Sequence, residues 1–275
     1  FIDKDGQAYI YYSLNKIFAA KLKENMLELA SEPVVIGDLP TKGLVEGHFL
    51  FERNGIYYMT YPHVENKIER LEYAIGNNPM GPFKVTGVIM DELPSGCWTS
   101  HQSIIEYNNQ WYLFYHSNDL SPKFDKNRSI RIDSLFFNPD GTIQKVNPTF
   151  RGVGVTSAGR QIEMDRYSHI SPEGTTVVFL DTLNTFKGWK TVLDKQNAWI
   201  RYNAVDFGRK RLKQVQVNAA SQTGGTLQIR LDKPDGVILA EVKIPQGTDW
   251  YTVNTRLSGF QKGIHDLIVV LNDNK

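Results

Sequence analysis

The feature that most constrains this chain is a strand-turn-strand pattern that occurs three times in its first half, as FIDKDGQAYIYYS, LFERNGIYYMTYP and IIEYNNQWYLFYH. Superposed on their turns, the copies bring Gly6, Gly55 and Asn109 into register. Tyr9, Tyr58 and Tyr112 then coincide, as do Tyr12, Tyr61 and Tyr115, and so do the acids Asp3, Glu52 and Glu106. Short alternating apolar runs bounded by Asp-Gly and Asn-Gly read as strands rather than helices. An aromatic-rich hairpin recurring about every 50 residues has the spacing of a four-stranded propeller blade, and a propeller closes with about four blades or more. Three copies are too few. The expectation is an incomplete β-propeller of about three blades, with the rest of the ring upstream of Phe1.

Charge narrows the partners. Thirty-one Lys and Arg balance 30 Asp and Glu, leaving +1, so no global field draws the protein toward nucleic acid or anionic lipid. A neutral partner such as a sugar fits that balance. The apolar fraction of 41% over 275 residues suffices for two domains, each with its own core. Cys97 is the single cysteine, so no internal disulfide forms, and a packing role is expected for it. No uncharged run reaches the roughly 18 residues of a membrane span. No leader peptide precedes Phe1, but the chain opens within a strand, so that absence carries no weight.

Strand signals continue to about Phe137, and KLKENMLELA suits either a helical turn or a loop. LFFNPDGTIQK reads as a further hairpin on its Asp-Gly turn. The small, Gly-rich RGVGVTSAGR then marks a boundary, giving a first domain over 1–152 and a linker over 153–160. Beyond it, over 161–275, AWIRYNAVDFG, KQVQVNAAS, TLQIRLD, EVKIP, WYTVNTRL and HDLIVVL recur about every ten residues, the rhythm of a β-sandwich. The expected fold is all-β. The last run, HDLIVVLNDNK, has no following strand to pair with, so this domain is expected to be C-terminally truncated.

Three segments carry a resemblance. GLVEGHFLFERNGIYYMTY, TSHQSIIEYNNQWYLFYHSND and NRSIRIDSLFFNPDGTIQKVNPTFRGVG resemble the last three blades of glycoside hydrolase family 43, the five-bladed propellers that include β-xylosidases and α-L-arabinofuranosidases. The resemblance covers about 1–154. It implies an inverting hydrolase, in which a carboxylic acid protonates the leaving oxygen while an opposed carboxylate, about 6.5 to 9.5 Å away, activates water. Glu46, in Val-Glu-Gly, takes the place of the general acid. Such an acid is expected in a low-polarity cleft beside another carboxylate, which raise its pKa. The repeat places the position equivalent to Glu46 ahead of Phe1 in the first copy and at Ser100 in the third. The family's pKa-tuning aspartate and its catalytic base would then lie upstream, and this fragment alone is expected to be inactive.

The resemblance implies further site residues. His101 matches an axial histidine that in many relatives helps hold a calcium ion or its water shell; a structural or substrate-contact role is equally open. Arg128 matches an arginine that reaches into the cleft, with Arg131 a competitor for the role, and Trp98 suits either a sugar face or the core. No cofactor is required for the chemistry; calcium would be structural. Residues 161–275 resemble a family 6 carbohydrate-binding module, a jelly roll, through QIEMDRYS, AWIRYNAVDFG, TGGTLQIRLDKPDG, GTDWYTV and GIHDLIVVLND. Trp250 matches a platform tryptophan. Trp189 stands in for the missing partner aromatic, Asp165 with Glu163 nearby matches a calcium site short of one ligand, and Trp199 is expected in the core. The expected partners are xylan, arabinoxylan, arabinan or their oligosaccharides, met in the periplasm or outside the cell. The alternative is a non-catalytic carbohydrate-binding protein that uses the C-terminal module.

Overall fold

The computed structural model describes residues 1–119, 124–259 and 262–273. It divides into two units, Phe1–Pro148 and Thr149–Lys275. Among the described residues the regular structure is strand throughout, apart from one 3-10 turn at Thr185–Lys187.

The first unit holds three successive antiparallel sheets, which are the three repeats. The first consists of β1 (Tyr9–Ser13), β2 (Ile17–Lys21) and β3 (Val34–Val35). The second has four strands in sequence order, β4 (Phe49–Arg53), β5 (Ile56–Val64), β6 (Glu69–Gly76) and β7 (Lys84–Met90). The third comprises β8 (Gln102–Tyr107), β9 (Gln110–Ser117) and β10 (Ser129–Leu135). Local chemistry sets the hairpins. Asn54 and Gly55 both take positive φ, as do Asn108 and Asn109, and the flanking residues pair as Arg53 with Ile56 and Tyr107 with Gln110. Two consecutive left-handed residues make the turn whose twist matches the strands it joins, and Asn and Gly tolerate that conformation best.

The aligned acids and tyrosines have separate tasks. The Glu52 carboxylate accepts the Gly55 amide and pairs with Lys4 at 2.8 Å, while Asp3 accepts the Tyr57 hydroxyl at 2.7 Å, so the first two copies are tied together at their turns. On the central strand β5, Tyr58 and Tyr61 point to opposite faces, and both are fully buried. Tyr58 joins Phe51, Leu71, Tyr73 and Ile89 against Ile104, Leu113, Tyr115 and Leu135 of the third sheet. Tyr61 joins Leu50, Met59 and Ala74 against Ile17 and Ala19 of the first. The four-stranded sheet is therefore covered on both faces by its neighbours, as stacked blades are. KLKENMLELA forms no helix: Leu22 and Leu29 bridge, and the Lys23 amide donates to the Glu28 carbonyl. LFFNPDGTIQK closes as expected, with Phe137 bridged to Ile143 across Gly141.

The second unit contains β11 (Thr156–Ser157), β12 (His169–Ile170), β13 (Thr175–Phe179), β14 (Trp189–Leu193), β15 (Trp199–Asp206), β16 (Gln214–Ser221), β17 (Gly225–Leu231), β18 (Ile238–Ile244), β19 (Gly247–Arg256) and β20 (Ile264–Asp273). Its main sheet runs β11-β15-β20-β17-β18, with β12 also on β15, and β13-β14 and β16-β19 form two smaller sheets. Ile200, Tyr202, Val205, Ile229, Leu231 and Val242 are buried in its core, with Val215, Val217 and Val253 of the β16-β19 sheet packed against them. Thr156–Ser157, inside the stretch read as a linker, pairs in parallel with β15. Trp199, expected in the core, is only half-buried, because alternation along β15 turns the neighbouring Ile200 inward instead. Asn274 and Lys275, the end of the closing run, lie outside the described residues.

Candidate active site

Glu46 stands on the segment that leads into β4, and that segment is tied at several points. The Val45 carbonyl accepts the Asn15 amide at 2.9 Å, and the Gly47 carbonyl accepts the Gln102 side-chain amide at 3.2 Å. Gly47 has φ +76°, and a Cβ there would lie 2.8 Å from Pro62 and 2.9 Å from the His101 ring. Only glycine lets the backbone pass, which is the physical reason for a glycine directly after Glu46.

His101 lies just ahead of β8, with its ring roughly parallel to that of His116 at a centroid distance of 6.2 Å. Its Nε2 is 3.9 Å from Glu46 Oε1 and 3.9 Å from Glu69 Oε2. Both distances exceed a hydrogen bond, so the contacts are electrostatic. The carboxyls differ in surroundings. The Glu46 side chain is 56% exposed and that of Glu69 only 5%. The low-polarity setting expected around Glu46 is thus found around Glu69, at the start of β6. Burial pushes Glu69 up to about 7; the nearby Glu46 charge adds to this, while the Ser100 amide and Arg128 oppose it. Burial lowers the pKa of His101; the Glu46 carboxylate pulls it upward, and His116 and Arg128 lower it further. Near neutral pH the cluster is an exposed carboxyl, a neutral imidazole and a buried carboxyl close to half protonation.

Arg128 is exposed and acts electrostatically on Glu69, His101 and His116. Arg131 is directed to Ser117 and Asp119, at 3.4 and 3.7 Å. Trp98 is half-buried and its amide donates to the Asp125 carbonyl. Glu69 escaped the sequence reading. The available signal was an acid at the head of the apolar strand ERLEYAIG, but strand pattern alone does not say that this side chain turns toward His101.

Metal fit can be tested from the side chains. Calcium asks for six to eight oxygens. Around His101 the described residues offer two carboxylates, and no three of these side chains bring ligand atoms within 4.8 Å of one another. Glu163 is exposed with Oε1 held by the Gln161 amide at 2.7 Å, Asp165 is half-buried, and no third acid or histidine joins them among the described residues. These side chains do not make a calcium site by themselves. Among the described residues the one grouping of that kind is His63, Glu65 and Glu72, where Arg70 already supplies the cation: its Nε lies 2.6 Å from Glu72 Oε1 and its Nη2 lies 3.4 Å from Glu65.

In the second unit, Trp250 on β19 is 47% exposed, with Tyr251 beside it at 39%. Trp189, on β14, is half-buried and stacks on Phe179 at a centroid distance of 4.1 Å. The two tryptophans stand on different sheets.

A first unit of successive aromatic-rich antiparallel sheets carrying a carboxyl-histidine-carboxyl cluster, and a second all-β unit with exposed aromatics, define an all-β protein of two units. The chain belongs to the glycosyl hydrolases family 43, whose family model matches residues 1–143, and the carbohydrate binding module (family 6) matches residues 162–275. Among curated proteins it is 26% identical to an arabinoxylan arabinofuranohydrolase of Bacillus subtilis (strain 168), over 98% of this chain and 59% of that protein. It is 25% identical to the arabinoxylan arabinofuranohydrolase of Paenibacillus polymyxa, over 98% of this chain and 47% of the other. A xylosidase/arabinosidase of Bacteroides ovatus is 38% identical over 45% of this chain and 40% of that protein. The chain therefore spans about half the length of the curated relatives it matches. Among solved structures, a glycoside hydrolase family 43 arabinoxylan arabinofuranohydrolase from Bacillus subtilis in complex with cellotetraose shares the fold, with a TM-score of 0.53 at 23% identity, over 99% of this chain and 62% of the other.

Proposed function

We propose that this chain forms part of an inverting glycoside hydrolase that removes arabinose or xylose residues from plant xylan, arabinoxylan, arabinan or their oligosaccharides. The observation that carries the reading is Glu46, exposed on the Val-Glu-Gly turn, with its Oε1 3.9 Å from His101 Nε2 and the buried Glu69 at 3.9 Å from the same nitrogen. Glu46 protonates the leaving oxygen, and Arg128 and His101 face the sugar. Water activation needs a second carboxylate about 6.5 to 9.5 Å across the bond. We assign that base to residues outside these 275, a reading supported by relatives of roughly twice this length, so the chain alone does not turn over. The sugar class rests on the relatives named for arabinoxylan, xylosides and arabinosides. A polymer of that size places the enzyme in the periplasm or outside the cell.

The test is hydrolysis of aryl β-xyloside and aryl α-L-arabinofuranoside by this chain and by a version extended with the residues that precede it in its parent. Release only by the extended version supports the reading and names the sugar. Release by the chain alone overturns the assignment of the base. A second reading, binding without hydrolysis, is favoured by the exposure of Trp250 and Tyr251. It stands if neither version hydrolyses and xylo-oligosaccharide binding survives Glu46→Gln.

A further inference from the structure

We infer that His63 is a positioning residue for Glu46 and that it acts as an imidazolium with a proton on each ring nitrogen; the inference rests on the proposed role of Glu46. His63 is buried near the end of β5, and both of its nitrogens are engaged. Nε2 is 2.9 Å from the Lys42 carbonyl oxygen, which can only accept. Nδ1 is 2.8 Å from Glu72 Oε1. That oxygen belongs to a buried carboxyl that also accepts from Arg70 at 2.6 Å, and a carboxylate paired with a guanidinium is ionised and accepts only. Two acceptors flank one ring. A neutral tautomer has a single N–H and would leave one buried contact as lone pair against lone pair.

The charges around the ring agree with this state. Among the described residues, the charged side chains paired with the ring or with its partners are Glu65 at 3.6 Å from Nδ1, Glu72, and Arg70, which contacts both acids. With His63 charged, two cations face two anions, the buried Glu72 and the half-exposed Glu65.

The ring's other contact leads to the proposed acid. Lys42 begins the segment that carries Glu46, and the next residue is stitched to the same strand end, because the Val64 amide donates to the Gly43 carbonyl at 2.9 Å. Gly43 has φ +76°, and a Cβ there would fall 2.2 Å from the Val64 carbonyl oxygen and 3.0 Å from the His63 ring. Four residues later Gly47 packs on Pro62, just before His63. The end of β5 thus grips the turn on both sides of Glu46, and His63 contributes the side-chain hydrogen bond of that grip. The network sets where the Glu46 carboxyl stands relative to His101 and takes no part in proton transfer.

The first measurement is a long-range proton-nitrogen correlation spectrum of the uniformly labelled chain at pH 7. Two protonated ring nitrogens for His63 are expected; one protonated and one bare nitrogen would overturn the inference. The second is amide hydrogen exchange of His63→Gln and His63→Asn against the parent chain. Exchange in the segment spanning 42–48 should rise at least tenfold, while the strand segments of β8 and β9 keep their rates. Uniform acceleration across the unit, or none in 42–48, would also overturn it. Neither readout needs hydrolysis, so failure here is distinct from failure of Glu46 in the glycoside assay.

Discussion

At the scale of single residues, two carboxyls in one cluster are set apart by water. Glu46 reaches solvent; on the proposed function, the expected result of Glu46→Gln in the extended version is a loss of about 10²- to 10⁴-fold in kcat on substrates with poor leaving groups. An aryl glycoside with an activated phenol, which needs little protonation, should lose much less. Glu69 is buried and its pKa stands near 7 rather than 4.5. Below about 4.5 the folded and unfolded forms are both protonated. Between about 4.5 and 7 the folded form binds the extra proton, so stability falls as pH rises, by about 3 kcal/mol in total, and the loss is complete above 7. Glu69→Gln keeps an acceptor for the Ser100 amide and removes the ionisation. Its thermal midpoint should exceed that of the parent by several degrees at pH 8, with the gap closing by pH 5, measured by calorimetry.

At the scale of elements, the repeat explains the hairpins, and glycines at similar φ do different work. Gly6, with φ +85°, faces open space, so Gly6→Ala carries only the left-handed backbone penalty, about 1 to 2 kcal/mol. Gly47 has φ +76° and its missing Cβ would press on Pro62 and the His101 ring. Gly47→Ala should cost about 2 to 4 kcal/mol, the backbone penalty plus overpacking. It should also lower kcat in the extended enzyme, since the His101 ring and Glu46 must shift together. Chemical denaturation of the two variants checks the ranking; equal losses would mean that the crowding at Gly47 is relieved without cost. Turn chemistry was readable in advance at Asn54-Gly55 and Asn108-Asn109, because two residues of the right type suffice for each. KLKENMLELA left helix and loop open, and cross-strand bridging decided for an extended excursion.

At the scale of the molecule, each unit has its own buried core, with Tyr58 and Tyr61 central to one and Tyr202 and Val205 to the other. Residues 149–275 expressed alone should therefore keep a cooperative thermal transition and any sugar binding of the sandwich. Trp250→Ala in that piece should weaken xylo-oligosaccharide binding by about 10-fold or more, read by calorimetric titration, because a sugar face loses its aromatic partner. Unchanged affinity would direct attention to Trp189 and its stack on Phe179.

The sequence by itself determined the all-β class, the three-fold hairpin repeat, the two-part organisation and the position of Glu46 on its Val-Glu-Gly turn. Each of these depends on neighbours in the chain: alternation, turn residues, spacing. Only the tertiary structure decided that Glu69 is the buried carboxyl beside His101, that Arg128 acts electrostatically on both, and that His63 bridges Lys42 to Glu72. The cause is the same in each case. A strand pattern tells which residues share a face, but burial and electrostatics depend on what is packed against that face, and those partners come from strands and loops far away in the chain.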